Sequence, residues 1–367
     1  MLTHHSNLDY AVAATEAATA ARTKMDIQIK NGQAKAEQVI NHVQTHTPTD
    51  RVVLGKKLGF RATENGIGLD LPLEDVITET MHRNALGQAA SRVDLPIGYV
   101  NDLLSRGEWG RELAAKNFSD LFGHLNGDRF LLRSVDGQVR GFLSDHYRRL
   151  DARPILDSFL GGVMKFGATP VDGMVTETKV SVKVVLPYIF EPIPNEVMLV
   201  GAEYENSDFG NGALTMNTFV DRLWCTNFAR SESLLRQIHL GARLGENIAF
   251  SQRTYNLDTR TMASAISDMV EQALSPKSVN DYMALVKAAN EKKIEGNQVT
   301  EFMKKNLNKA EAQAATEAFN GADVEQLPAG NSVWRMSNAL SFIAKNAEPE
   351  RAQELQRLAG AVLGKAA

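Results

Sequence analysis

The stretch RFLLRSVDGQVRGFL, residues 129–143, decides the fold class. Asp136-Gly137 sits between two strand-like runs, and a two-residue hairpin turn needs positive φ at both central positions, which Asp-Gly supplies. Pairing Val135 with Gln138 fixes the register. An uninterrupted ladder then places Arg133 opposite Arg140, on a face shared with Arg129, Leu131 and Phe142. Phe130, Leu132, Val139 and Leu143 take the other, core-facing side.

Working outward, the spacing predicts a helix from about Arg153 to Phe166, with Ile155, Leu156, Phe159, Leu160 and Val163 inward and Gly167 as its stop. Strands follow near 171–177, 179–186, 196–204 and 213–218, with Val180, Val182, Val184 and Leu186 alternating against Lys179, Ser181 and Lys183. Residues 219–239 carry apolar spacing that suits a helix or a broken pair. Most of 260–363 reads as helical, interrupted at Ser275-Pro276 and at Leu327-Pro328-Ala329-Gly330.

Upstream, Val76, Ile77, Met81, Ala85, Ala89 and Val93 predict a helix over Leu73–Val93, broken by Asp94-Leu95-Pro96. A short helix follows with Val100, Leu103 and Leu104 inward. Residues 9–45, rich in Ala, Thr, Gln and Lys, read as a helical arm or a partly ordered leader. The expected class is α+β, a central antiparallel sheet with helical N-terminal and C-terminal parts. Its divisions are an arm over 1–50, a helical part over 51–125, an α+β core over 126–260 and a helical part over 261–367.

The chain has 367 residues, 43% apolar and 23% charged, which are the proportions of a globular protein. No run of eighteen apolar residues occurs, and no apolar stretch follows a basic start, so the expected location is cytoplasmic, without a membrane span. One cysteine, Cys225, excludes an internal disulfide or a multi-cysteine metal centre. The net charge of −4 excludes a uniformly basic nucleic-acid binder, yet the charge is segregated. Arg129 to Arg153 carries a net +3, Glu191 to Asp208 a net −5 and Arg222 to Arg243 a net +3.

Like charges opposed in an antiparallel pair are destabilising, so Arg133 facing Arg140 needs a partner. One reading is a phosphate backbone crossing Arg129, Arg133 and Arg140, with Phe142 and Tyr147 stacking on bases and Arg148 and Arg149 continuing the island. The other pairs these arginines with Asp136, Asp145, Asp151 or the distant acidic segment. Residues 82–106 match part of a DNA-reading helix pair, but the second helix exposes Asn101, Asp102 and Ser105 with no cation before Arg106, so a structural pair is expected.

For catalysis, Cys225 with His239 lacks a defined base, and a lone cysteine reads as a small buried residue. Glu203, Glu205 and Asp208, near Asn206, form either an oxygen-ligand metal site or a solvated strand face; the second is adopted. Trp224 and Trp334 are expected as core or interface anchors. No phosphate-cradling loop, HExxH or nucleophile elbow is present, and no metal or cofactor is predicted.

The phrases GFLSDHYRRLD (141–151), GAEYENSDFGNGALTMNTFVDRLWCTNFA (201–229), RQIHLGARL (236–244) and GNSVWRMSNALSF (330–342) together resemble a phage- and plasmid-encoded family known only as a domain of unknown function. The resemblance spans roughly residues 68–345 and implies a mobile-element context, with no activity attached. The element order, helix then antiparallel strands then helix, resembles the core of single-strand annealing proteins of the Red-beta and RecT type, at the level of architecture alone. These resemblances imply a non-enzymatic DNA-recombination or DNA-processing protein, binding single-stranded DNA as an oligomer and annealing strands. The alternatives are a module that binds a host or phage protein through the acidic segment, and a metal-dependent enzyme.

Overall fold

Thr15 opens the first helix by accepting a hydrogen bond from the Ala18 amide, and α1 then runs over Glu16–Thr45. The computed structural model describes residues 10–71, 77–222, 227–237, 251–321 and 327–364. Ala18, Ala21, Met25, Ala36, Val39 and Val43 form the buried stripe of α1. It is neither an arm nor a leader, because its backbone lies directly on a strand: a Cβ on Gly32 would overlap the backbone of Val171. Contact made through alanine and glycine leaves only weak apolar periodicity, which is why the sequence understates it.

Four strands follow where a helical part was expected: β1 (Thr49–Leu54), β2 (Gly59–Thr63), β3 (Gly66–Leu71) and β4 (Ile77–Met81). The expected helix over 73–93 is confined to α2, Arg83–Arg92, which starts when the His82 ring caps the Asn84 amide. Ile77 and Met81 fit a helical spacing, but β4 is held by a ladder on both edges. It pairs antiparallel with β3 and parallel with the later strand that carries Gln138 and Val139. The next helices are α3 (Ile97–Ser105), with Pro96 at its cap, and α4 (Glu108–Gly123).

The hairpin then forms as β5 (Arg129–Val135) and β6 (Gln138–Ser144), with φ of 51° at Asp136 and 75° at Gly137. The first sheet has the order β1-β5-β6-β4-β3-β2. Its core side meets α2, α3 and α4 in an aromatic cluster, with Phe60 and Phe118 centroids 5.1 Å apart and Phe130 and Phe142 5.0 Å apart.

Next come α5 (Ala152–Met164), ended by Gly167 at φ 68°, and β7 (Thr169–Val175), β8 (Val180–Val185), β9 (Phe190–Ile193), β10 (Glu196–Asn206), β11 (Leu214–Arg222) and β12 (Asn227–Gln237). Where a helix or a broken pair was expected over 219–239, the described residues form strands instead, β11 paired with β12 and registered from Arg222↔Asn227 back to Leu214↔Gln237. Local apolar spacing lost to cross-strand pairing, which a single segment does not reveal. The second sheet has the order β12-β11-β10-β8-β7, with β9 on β10.

The C-terminal helices are α6 (Gln252–Ala273), α7 (Pro276–Glu291), α8 (Gly296–Asn306), α9 (Lys309–Asn320), α10 (Val333–Ile343) and α11 (Pro349–Gly364). Val182, Val184, Val200 and Met216 face the helical layer, where Trp334 is fully buried as an anchor. The opposite face of the second sheet is apolar under α1, at Leu199 and Phe219, and polar under α11. There Lys183 donates to Gln356, and Arg357 reaches Glu205. The α+β class with antiparallel strands between N-terminal and C-terminal helices is present, built as two sheets. Among the described residues, no helix is long and apolar enough to cross a membrane.

Candidate functional site

The site is organised by one extra residue in β6. From the turn, Val135↔Gln138 and Ser134↔Val139 pair as expected, but the ladder then shifts to Arg133↔Gly141, Leu132↔Phe142 and Leu131↔Leu143. This bulge leaves Arg140 unopposed, so the arginine pair of the uninterrupted ladder does not form. It also exchanges the two faces beyond it: Phe142 joins Phe130 and Leu132 in the core, while Leu143 packs with Leu131 and Tyr147.

A bulge strands backbone groups, and buried ones need partners. Two amides on α2 supply them. Asn84 Nδ2 donates to the Arg140 carbonyl at 2.9 Å, and Gln88 Oε1 accepts from the Phe142 amide at 2.7 Å. Both side chains also donate to the Phe209 carbonyl, at 3.0 and 2.9 Å, so α2, β6 and the loop after β10 share one hydrogen-bonded joint. That loop reverses through Gly210, at φ 72°, where a Cβ would lie 2.5 Å from the Leu143 side chain.

Arg133 is 1% exposed, on the side of β5 that faces the second sheet. Its Nε donates to Asp50 at 2.8 Å, Nη2 to Asp151 at 2.5 Å and Nη1 to the Asp208 carbonyl at 2.8 Å. Burial alone pushes its pKa down, but Asp151, Asp50 and Asp208 more than reverse this and keep it charged. Asp208 accepts from the Ala152 amide at 2.8 Å, and burial lifts its carboxyl to about 7 against the pull of Arg133. Tyr147, 7% exposed, donates to the Ser207 carbonyl, and burial raises its phenol pKa.

The other nominated residues divide by their partners. Arg149 pairs with Asp50 at 3.2 Å, with its guanidinium 4.1 Å from the Tyr255 ring centroid. Arg148 grips Asp258 through two bonds of 2.6 Å, and Arg129 meets Asp145 at 3.1 Å. The expected exposed arginine face is therefore corrected: Arg133, Phe142, Tyr147 and Arg149 are buried, and Arg129 and Arg148 are half-buried in ion pairs. Arg140 is the exception. Half-buried, it donates to Gln138 Oε1 and to the Glu177 carbonyl, both at 3.2 Å, and meets no carboxylate among the described residues.

Beside Arg140, α2 presents a surface cleft lined by Arg83, Asn84, Gly87, Gln88, Ser91 and Arg92. Arg83 and Arg92 are exposed and carry no ion pair among the described residues. Sequence reasoning missed both, together with Asn84, Gln88 and Asp50. The legible signals were Gly141, a glycine inside a strand, and two amides four apart on the inward edge of a helix.

A second cleft lies between the end of α1 and the β7–β8 turn, lined by His42, His46, Glu177, Lys179 and Asp208 among others. The His42 and His46 rings stack at 4.2 Å, and burial, His46 and Arg140 all hold the His42 pKa below its ordinary value. His82 Nδ1 accepts from the Asn84 amide, so its Nε2 carries the proton donated to Glu177 at 2.6 Å.

Glu203 and Glu205 lie on the central strand of the second sheet, β10, and not on a solvated face. Glu203 and Glu205 are 0% and 2% exposed; Ser181 donates to Glu203, and Glu205 lies between Lys179 at 3.1 Å and Arg357 at 2.7 Å. Asp208 lies apart from them, at the seam. Among the described residues, no group of three or more His, Cys, Asp or Glu side chains is arranged to hold a metal ion. In helices α2 and α3, Ala90, Val100 and Leu103 are buried. Trp224, Cys225 and His239 lie outside the described residues.

Compared with known protein families, curated proteins and solved structures, the chain matches none.

Proposed function

We propose that the protein binds single-stranded DNA as a non-enzymatic recombination or processing factor of a phage or plasmid, with phosphates running along α2 past Arg92, Arg83 and Arg140. One observation carries the reading: Arg83 and Arg92 line one surface cleft, Arg140 follows on β6 with its carbonyl bound to Asn84 of that cleft, and none of the three guanidinium groups has a carboxylate partner among the described residues. Arg83 and Arg92 are separated by about 14 Å along the helix axis, a reach of several nucleotides of strand. Strand annealing needs a surface that holds a backbone and leaves bases free, without residue chemistry, and it calls for several copies along a strand.

The alternative of partner binding through the acidic segment has less support, because Glu203 and Glu205 are interior. The test is fluorescence anisotropy with labelled oligo-dT and with duplex DNA, from about 50 to about 200 mM salt. Oligo-dT binding that weakens steeply with salt, and falls in the Arg83→Ala/Arg92→Ala/Arg140→Ala variant, is expected. Absence of binding at the lowest salt, or an unchanged triple variant, overturns the reading.

A further inference from the structure

Helix α4 has an outward face that the described residues leave uncovered. Gly110, Ala114, Ala115, Phe118 and Phe122 point into the first core. The opposite row, at i, i+4 spacing, is Trp109, Leu113, Asn117 and Leu121, with Trp109 55% and both leucines 38% exposed. Helix α3 extends the patch with Ile97 and Tyr99, each 42% exposed. Asn117 Nδ2 donates to the Tyr99 hydroxyl at 3.2 Å, and Arg106 sits 6.0 Å from the Trp109 ring centroid while paired with Asp102. The aromatic groups are thereby positioned before anything docks, and clustered exposure of this kind marks an interaction surface.

We propose that this face binds a second copy of the chain, α4 against α4, antiparallel about a two-fold axis. The row is symmetric about the point between Leu113 and Asn117. Antiparallel alignment seats Trp109 on Leu121 of the second copy and Leu113 on Asn117, and the two-fold repeats both contacts. The neighbouring row then brings Glu112 to Lys116 of the second copy, and Lys116 to its Glu112, giving two ion pairs. Glu108 and Asp120 meet at the rim, where water screens them.

Nucleic acid fits this face poorly. Glu108, Glu112, Asp120 and Asp102 outnumber Lys116 and Arg106, so phosphates would be repelled. The apolar row is one helix face about 18 Å long and covers less than the roughly 800 Å² per partner of a standard interface, so the dimer is weak, in the micromolar range. The inference is independent of the DNA reading, since Arg83, Arg92 and Arg140 do not enter it.

Sedimentation velocity on the full chain, from about 1 to about 200 μM, tests it. The parent should pass from monomer to dimer. Trp109→Ala with Leu113→Ala should weaken association about tenfold or more at unchanged circular dichroism and melting temperature. Glu112→Lys should weaken it, and Glu112→Lys with Lys116→Glu should restore it. A parent that stays monomeric throughout overturns the proposal, as does a charge-reversed double variant that fails to recover. Quenching of Trp109 by oligo-dT, lost in Trp109→Phe, would assign the face to bases and also overturn it.

Discussion

The Arg133 guanidinium donates to the Asp208 carbonyl at 2.8 Å, so a strand of the first sheet and a loop of the second share one buried cation. Asp50 and Asp151 complete its shell, and those two carboxylates come from opposite sides of the hairpin in sequence. Removing the cation leaves Asp151 without its partner and Asp50 with Arg149 alone at the seam.

Arg133→Ala should therefore cost about 3–5 kcal/mol, the range for breaking one side of a buried ion pair. Arg129→Ala removes a half-exposed pair with Asp145 and should cost no more than about 1 kcal/mol. Urea denaturation of both variants checks the contrast; equal losses would mean that the Arg133 cluster is not the joint between the sheets.

Asp221 supplies a pH test. It is fully buried in β11, accepts from Gln28 Nε2, and burial raises its carboxyl from 3.8 to about 7, opposed by Gln28, Lys183, Lys345 and Arg222. Because the folded pKa lies above the unfolded one, the folded state holds the extra proton between those values. Its contribution to stability is complete below about 4 and is lost as pH rises through about 7. Asp221→Asn keeps the acceptor for Gln28 without the charge. Thermal melts should show the variant more stable than the parent at pH 8, with the difference shrinking towards pH 5. A variant less stable at pH 8 would mean that the carboxylate is ionised and paired.

Gly32→Ala separates a packed helix from an arm by sign. On a free helix the change should stabilise by about 1 kcal/mol. Under the close approach of α1 to Val171 it should destabilise by about 2–3 kcal/mol. Chemical denaturation decides, and a gain in stability would detach α1 from the second sheet.

The arginines differ in what they have left to offer a phosphate. Arg83→Ala/Arg92→Ala/Arg140→Ala should lower the magnitude of the oligo-dT salt slope by about 2, at roughly 0.7 per lost contact. Arg129→Ala and Arg148→Ala, whose guanidinium groups are held by Asp145 and Asp258, should leave the slope unchanged. Anisotropy titrations at several salt concentrations measure both. A slope that moves only with the second pair would return the contact surface to the hairpin.

The hairpin turn, the stop at Gly167 and the breaks at Ser275-Pro276 and 327–330 were legible, because each is written in two to four adjacent residues with special backbone needs. Of the partners of Arg133, Asp151 and the distant acidic segment that holds Asp208 were among the alternatives read from the sequence, whereas Asp50, 83 residues away, was not legible. The bulge had one local sign, Gly141, and overlooking it turned Phe142 and Leu143 to the wrong faces. Residues 219–222 and 227–237 carry no such sign. Their strand identity comes from β10, whose alternating residues template β11 and through it β12.

The seating of α1 has a consequence for the order of events during synthesis. The helix is finished at Thr45, but β7, on which it lies, begins only at Thr169, about 120 residues later. At ordinary elongation rates the apolar stripe from Ala18 to Val43 leaves the ribosome roughly 6–25 s before its cover exists. For that interval the nascent chain carries an unclaimed adhesive strip. Its small alanines and central glycine make the strip less sticky than a leucine-rich face while it waits.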